Sequence, residues 1–169
     1  MSLARSVLFT ALLISTFPDT KGLNILAVDD EAGSRIALDV VLKLAGHHVN
    51  FAKDGDEALE MFEHAEAPYD LIITDHLMAR VSGLDLVRRL RDLGFTGEIV
   101  VLTAYAGSID EEEYKKMEVV GLMEKPFEIA ELREWIDCIH KHHEEVAEHR
   151  DCPPKGIDFW WLKHDSEEE

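Results

Sequence analysis

The chain has 169 residues, 46% of them hydrophobic, which is enough for one domain with a substantial buried core. Its formal net charge of −18 argues against a nucleic-acid partner or an acidic membrane surface, because both require a cationic face. Two cysteines, Cys138 and Cys152, are too few for a disulfide framework, so we expect reduced thiols in a cytoplasmic setting.

Residues 1–22 precede the periodic part of the chain and contain an apolar run at positions 7–14. The run resembles a weak signal peptide, but a small-x-small cleavage site is hard to place after it. It is also too short to span a bilayer. We interpret residues 1–22 as an N-terminal extension that is disordered or loosely docked, or as the result of a start codon assigned too far upstream.

From Leu23 onward, apolar runs alternate with segments of helical periodicity. The runs predict five strands, at residues 24–28, 48–52, 71–74, 98–102 and 119–123. Apolar residues at helical spacing predict a helix after four of these strands, and a short acidic helix is expected at 110–117. The apolar positions of the four helices are Ile36, Ala37, Val40, Val41 and Leu44; Ala58, Leu59 and Phe62; Leu84, Val87 and Leu90; and Ile129, Leu132, Ile136 and Ile139.

Strands separated by helices call for a parallel sheet that is covered by helices on both faces. The second strand alternates polar and apolar residues, as an edge strand does, whereas the other four are apolar throughout. We therefore predict an α/β fold, a flavodoxin-like (βα)5 doubly wound parallel sheet with strand order 2-1-3-4-5.

Polar residues follow four of the predicted strands. Asp29 and Asp30 follow the first strand, Asp75 the third, Thr103 the fourth and Lys125 the fifth. Sites in such sheets form beyond the carboxyl ends of the strands, so these side chains are predicted to converge. Three carboxylates require a cation, and an all-oxygen site suits Mg²⁺. One carboxylate can then act as a nucleophile that forms an acyl phosphate, while the amine and the hydroxyl bind phosphoryl oxygens.

The chain resembles a stand-alone response-regulator receiver domain, the CheY-like phosphoacceptor of two-component signalling. The matching segments are ILAVDDE at 25–31, YDLIITDHLMARVSG at 69–83, IVVLTAYA at 99–106 and LMEKPF at 122–127. They occur in the order and spacing of the family. The resemblance places the receiver domain at 23–143 and leaves 144–169 as a helix extension with an acidic and aromatic tail.

The resemblance implies that Asp75 is the phosphorylated residue. It also implies that Mg²⁺ or Mn²⁺ is held by Asp29, Asp30 and Asp75, together with the backbone carbonyl of Leu77. The Leu77 side chain occupies a position that tunes the lifetime of the acyl phosphate in this family. The carboxylate pair that precedes the first helix is therefore expected to act as the core of a metal site.

The resemblance assigns three further residues to the phosphoryl group itself. The hydroxyl of Thr103 is expected to follow the phosphoryl group as a switch, the small Ala104 to leave it access, and Lys125 to pair with it. Pro126 is expected to follow a cis peptide bond.

Three positions matter as departures or tuning sites. Ala79 stands where the family usually has proline, so we expect a more mobile loop that keeps its metal ligands. Leu122 stands where the family has an aromatic switch residue, which puts the usual rotation of an aromatic ring in doubt. The bulky Tyr105, two residues beyond Thr103, predicts slow self-dephosphorylation.

The resemblance implies a phosphoacceptor rather than an enzyme. Its expected partners are a histidine kinase or phosphotransfer protein and an unidentified downstream protein in the cytoplasm, with no nucleic acid and no membrane. Homodimerisation is left open. Two alternatives remain: an interaction module that does not need phosphorylation, and a Mg²⁺-dependent phosphohydrolase. The second would want another carboxylate where Leu77 stands.

Histidines and aromatic residues offer weaker signals. His76, directly after Asp75, is predicted to point away from it and to have a structural role. The histidines from 140 to 149 do not have the paired spacing of a zinc site and are interpreted as a solvated helix surface. The aromatic tail at 159–162 is expected either to fold back on the domain or to dock on a partner.

Overall fold

The computed structural model describes residues 22–104 and 111–144, with side chains as far as residue 141. Strands and helices alternate along these ranges. The strands are β1 (Asn24–Val28), β2 (His48–Ala52), β3 (Leu71–Asp75), β4 (Glu98–Thr103) and β5 (Gly121–Glu124). The helices are α1 (Ala32–Leu44), α2 (Gly55–Glu63), α3 (Gly83–Asp92), α4 (Glu111–Lys116) and α5 (Ile129–Glu144).

The strands form one parallel sheet in the order β2-β1-β3-β4-β5, so the predicted flavodoxin-like fold is confirmed. The strand order reverses between β1 and β3, and this opens a crevice at their carboxyl ends. The register aligns Val28 with Thr74 and Asp75 with Leu102. The residues that end β1, β3 and β4 therefore lie at one edge of the sheet.

Side chains of the central strands alternate between two hydrophobic cores, one on each face of the sheet. Leu71 and Ile73 belong to the core that contains Leu42 of α1 and Ile136 of α5. Ile72, between them, belongs to the core formed with α2, α3 and α4. The predicted packing of helices on both faces of a buried β3 is thus present. It fixes the position of the carboxyl end of this strand.

The apolar residues that predicted α1 do not all face the core. Ile36, Val40 and Leu44 are 67%, 52% and 83% exposed, whereas Val41 and Leu42 are buried. Two apolar stripes run along this helix, and packing against the sheet and α5 decides which of them is buried. β5 also begins two residues later than predicted.

Cys138 lies on the buried side of α5 and is disulfide-bonded, so the expected reduced thiol was wrong for this residue. Pairing of a thiol depends on which residues the fold brings within bonding distance, and composition alone does not report this. Cys152, the N-terminal extension up to residue 21 and the tail from residue 145 lie outside the described residues. Within the described part of the chain, no helix combines the length and the apolarity needed to cross a membrane.

Candidate functional site

Asp75 is the last residue of β3, and the loop after it turns back across the end of the strand. The His76 amide donates a hydrogen bond to the carbonyl of Leu102 (2.8 Å), and the His76 carbonyl accepts one from the Gly83 amide (2.9 Å). A Cβ atom on Gly83 would overlap the carbonyl oxygen of Asp75, so this close approach requires glycine. The backbone on both sides of Asp75 is therefore fixed, and the residue is only 9% exposed.

The two acids after β1 differ in their surroundings. Asp29 is fully buried and accepts hydrogen bonds from the Glu31 amide (2.8 Å) and from Lys125 Nζ (2.7 Å). Asp30 is exposed, and its Oδ2 accepts a hydrogen bond from the Ala79 amide (3.1 Å). A proline at position 79 has no amide hydrogen and could not make this contact. Ala79 thus ties the loop after β3 to Asp30, and the greater mobility expected of this loop stays a prediction.

The structure brings the three carboxylates together around one lysine. One oxygen atom from each of Asp29, Asp30 and Asp75 lies within 4.8 Å of the others. Lys125 Nζ lies 2.7 Å from Asp29 Oδ2 and 3.3 Å from Asp75 Oδ1. The cluster carries three negative charges and one positive charge when its groups are ionised. An excess of two negative charges on oxygen donors fits a divalent cation such as Mg²⁺ or Mn²⁺.

Electrostatics distinguish Asp75 and Lys125 from ordinary surface groups. Burial raises the pKa of the Asp75 carboxyl, and Asp29 raises it further, while the charge of Lys125 acts in the opposite direction. Burial alone would lower the pKa of Lys125, but its hydrogen bond to Asp29 and the charges of Asp75 and Asp29 raise it. Lys125 is therefore a firmly charged ammonium, and it offsets only part of the repulsion between the carboxylates.

Thr103 and Lys125 come from neighbouring strand ends. The Lys125 amide donates a hydrogen bond to the Thr103 carbonyl (2.6 Å), which joins the ends of β4 and β5. Thr103 is buried, whereas Ala104 is exposed beside it. The Lys125–Pro126 peptide bond is cis. Tyr105, the proposed tuning residue, lies outside the described residues.

The two leucines at unusual positions lie in different environments. The Leu77 side chain is 57% exposed on the loop after β3. Leu122 is half-buried and packs against the core formed with α2, α3 and α4. That core holds a fully buried tyrosine, Tyr114 of α4.

Sequence reasoning missed Tyr114 altogether. Its hydroxyl lies 2.7 Å from Nδ1 of His76, and the two rings meet edge to face at a centroid distance of 5.9 Å. The expected structural role of His76 agrees with this contact. The partners are 38 positions apart, and no motif or periodicity in the chain links them. A tyrosine in a short, strongly acidic helix was the one available signal.

Residues 25–137 match the family model of the response regulator receiver domain. The chain belongs to this family. Two relatives support the assignment over most of their own length. The two-component response regulator ARR22 of Arabidopsis thaliana is 34% identical over 115 residues, 66% of this chain and 80% of that protein. The sporulation initiation phosphotransferase F of Bacillus subtilis is 32% identical over 113 residues, 66% of this chain and 89% of that protein.

Solved structures agree with the receiver fold. The chemotaxis response regulator CheY4 of Vibrio cholerae superposes with a TM-score of 0.63 at 29% identity, covering 70% of this chain and 98% of that one. Other relatives are much longer than the matched region. The chain spans 48% of the length of the transcriptional regulatory protein DltR of Streptococcus agalactiae, to which it is 32% identical.

Proposed function

We propose that this receiver domain accepts a phosphoryl group on Asp75 and signals through protein contacts that the modification changes. The single observation that carries the proposal is the position of the Asp75 carboxylate. It ends a rigid buried strand, 3.3 Å from Lys125 Nζ, within a cluster of three acids. A carboxylate held in this way can form an acyl phosphate.

The residues divide the work of phosphoryl transfer. An oxygen of Asp75 attacks phosphorus, and the bond from phosphorus to the donor atom breaks, with its electron pair leaving on the donor. Lys125 would pair with the transferred oxygens, and the Thr103 hydroxyl would donate a hydrogen bond to one of them. Mg²⁺ or Mn²⁺, held by Asp29, Asp30 and Asp75 with the Leu77 carbonyl, would supply further positive charge.

The proposed donor is a histidine kinase or a phosphotransfer protein in the cytoplasm, and the output is an unidentified downstream protein. The name of the Bacillus subtilis relative, a phosphotransferase, supports participation in phosphoryl transfer. A surface made by α4, β5 and α5 is the proposed output face, because β4 and β5 carry Thr103 and Lys125 towards it. Homodimerisation through this face is one form that the output could take.

One rival function has a specific observation in its favour. The half-buried Leu122 offers no aromatic ring at the switch position, and this favours a receiver-like module that binds partners without phosphorylation. A phosphohydrolase has less support, because the position for its second carboxylate holds the exposed, apolar Leu77.

Intact-mass spectrometry tests the proposal directly. The protein is incubated with acetyl phosphate and Mg²⁺, beside Asp75→Asn and the control Asp92→Asn, which changes an exposed acid of α3. We expect a gain of one phosphoryl group in the wild type and in Asp92→Asn, and none in Asp75→Asn or in EDTA. An unmodified wild type with acetyl phosphate and with a cognate kinase would favour the interaction module. Continuous release of phosphate from small esters would favour the hydrolase.

A further inference from the structure

The hydrogen bond between His76 and Tyr114 connects the residue next to Asp75 with α4. The Nδ1 atom of His76 and the Tyr114 hydroxyl are 2.7 Å apart, and Tyr114 is fully buried. A buried hydroxyl that lost this partner would be costly, so the two side chains are expected to move together. The contact therefore forms a direct physical link between the end of β3 and the helix.

The side chain of His76 contacts Tyr114, and the backbone of this residue is held separately. Its amide and carbonyl are both hydrogen-bonded, to Leu102 and to Gly83. The charge of Asp75 reaches both rings. After burial, it is the largest influence that raises the pKa of Tyr114. Burial lowers the pKa of His76, and the charge of Asp75 opposes that shift. A phosphoryl group would increase the negative charge at this place, because a phosphate carries close to two charges.

On the other side of the contact, Tyr114 is well placed to move α4. The Tyr114 carbonyl accepts hydrogen bonds from the amides of Met117 (3.1 Å) and Val119 (3.3 Å), which lead into β5. Leu122 packs against the same core that contains Tyr114. An aromatic ring and a polar group are thus present in this core, although they come from α4 rather than from position 122.

We propose that the His76–Tyr114 hydrogen bond couples the phosphorylation state of Asp75 to the position of α4, and that it replaces the aromatic switch which Leu122 cannot provide. His76 and Tyr114 are positioning residues in this proposal, since neither is required to touch the phosphoryl group. The inference rests on the proposed function of Asp75. It adds the route by which the modified site reaches the output face.

Amide hydrogen exchange with and without beryllofluoride and Mg²⁺ tests the coupling, because beryllofluoride mimics a phosphoryl group on a carboxylate. In the wild type, we expect the exchange rates of the Met117 and Val119 amides to change by about fivefold or more, the lower end of usual coupling between sites. In Tyr114→Phe, which keeps the ring and loses the hydroxyl, we expect a change below about twofold. Fluorine NMR verifies that both proteins bind beryllofluoride.

Two sets of variants separate coupling from a general loss of stability. Tyr69→Phe is the matched control, because the Tyr69 hydroxyl is also in the core and accepts a hydrogen bond from Asn50 (3.1 Å) away from the site. It should respond as the wild type does. His76→Leu should lose the response, and His76→Asn should restore part of it, because an asparagine amide can take the place of Nδ1.

The outcomes also distinguish this inference from the proposed function. A wild-type response in Tyr114→Phe, or a wild type that binds beryllofluoride without any change at Met117 and Val119, would overturn the coupling and leave the phosphoacceptor intact. A wild type that neither binds beryllofluoride nor gains a phosphoryl group would overturn the proposed function, and the coupling with it.

Discussion

Two regions of this receiver domain bury charge, and they do so in opposite ways. The guanidinium of Arg91, on α3, donates hydrogen bonds of 2.7 to 2.9 Å to four backbone carbonyls, those of Phe95, Gly97, Met117 and Glu118. The central carbon of the guanidinium lies over the Phe95 ring, 5.4 Å from the centroid. The guanidinium therefore binds the two segments that precede β4 and β5 through their carbonyl groups, and its role is structural.

In the acid cluster at the carboxyl ends of the strands, by contrast, the negative charges outnumber the positive charges. Asp29 and Asp75 are buried, and Lys125 forms a salt bridge with each of their carboxylates. Arg35 donates to the Asp29 backbone carbonyl (2.6 Å), and Asp30 adds a third carboxylate. The charge is not balanced by the described protein groups around it. A charged side chain whose hydrogen bonds all go to backbone groups stabilises the fold. Excess negative charge in a crevice is instead available to bind a ligand of opposite charge.

Removal of Arg91 should have the largest effect on stability. In Arg91→Ala, four carbonyls lose their donor, and we expect the free energy of unfolding to fall by about 3 kcal/mol. Arg89→Ala is the control, because Arg89 is 55% exposed and its nearest carboxylate atom, on Asp56, is 3.9 Å away; we expect a change below about 0.5 kcal/mol. Urea denaturation measures both. Equal losses in the two variants would show that Arg91 is not the structural charge described above.

Removal of Lys125 should unbalance the acid cluster. In Lys125→Met, the carboxylates of Asp29 and Asp75 both lose their salt-bridge partner, and we expect the metal-free domain to lose about 2 kcal/mol. Saturating Mg²⁺ should recover most of this loss, because the proposed divalent cation would bind to the same carboxylates. Lys43→Met, which removes an exposed partner of Asp39, should cost little in either condition. A loss that is insensitive to Mg²⁺ would contradict the metal assignment.

Of these three changes, neutralisation of Asp75 should alter the free energy of unfolding least, and it should increase it. Because the pKa of Asp75 is raised on folding, the folded protein binds this proton more tightly than the unfolded chain does. The stability contributed by this group is therefore present below its ordinary pKa of 3.8 and is lost as the pH rises through the folded-state pKa. We expect Asp75→Asn to stabilise the metal-free domain by about 1 kcal/mol at pH 7.

The pH dependence provides the check on that prediction. Urea denaturation of the wild type and of Asp75→Asn in EDTA should show a difference that shrinks as the pH is lowered towards the ordinary pKa of the carboxyl. Asp75→Asn should also lose the stabilisation that Mg²⁺ gives to the wild type. A variant that is less stable than the wild type at pH 7 without metal would show that Lys125 outweighs burial at this position.

The strand order and the convergence of the acids could be predicted from the sequence for a physical reason. The apolar runs specify buried parallel strands, the alternating run specifies the edge, and parallel strands bring their carboxyl ends to one side. Asp29 and Lys125 directly follow β1 and β5, and Asp75 is the last residue of β3, so their approximate positions are a consequence of the topology. The topology does not determine which face of α1 is buried, because Ile36, Val40 and Leu44 form a second apolar stripe.

Contacts that depend on loop paths and side-chain rotamers could not be predicted. The hydrogen bond from the Ala79 amide to Asp30 depends on how the loop after β3 turns back. The contact between His76 and Tyr114 depends on the packing of α4 against the end of β3. The first contact involves Ala79, a departure from the usual family pattern, where a resemblance offers no guide to the replacement.

Chemical trapping of the modified residue tests the central claim most directly. The protein is phosphorylated with acetyl phosphate and Mg²⁺, reduced with borohydride, which converts an aspartyl phosphate to homoserine, and sequenced by tandem mass spectrometry. We predict homoserine at position 75 alone, since Asp75 is the acid that Lys125 and the rigid end of β3 hold ready to react. Homoserine at Asp29 or Asp30, with Asp75 unchanged, would contradict the account.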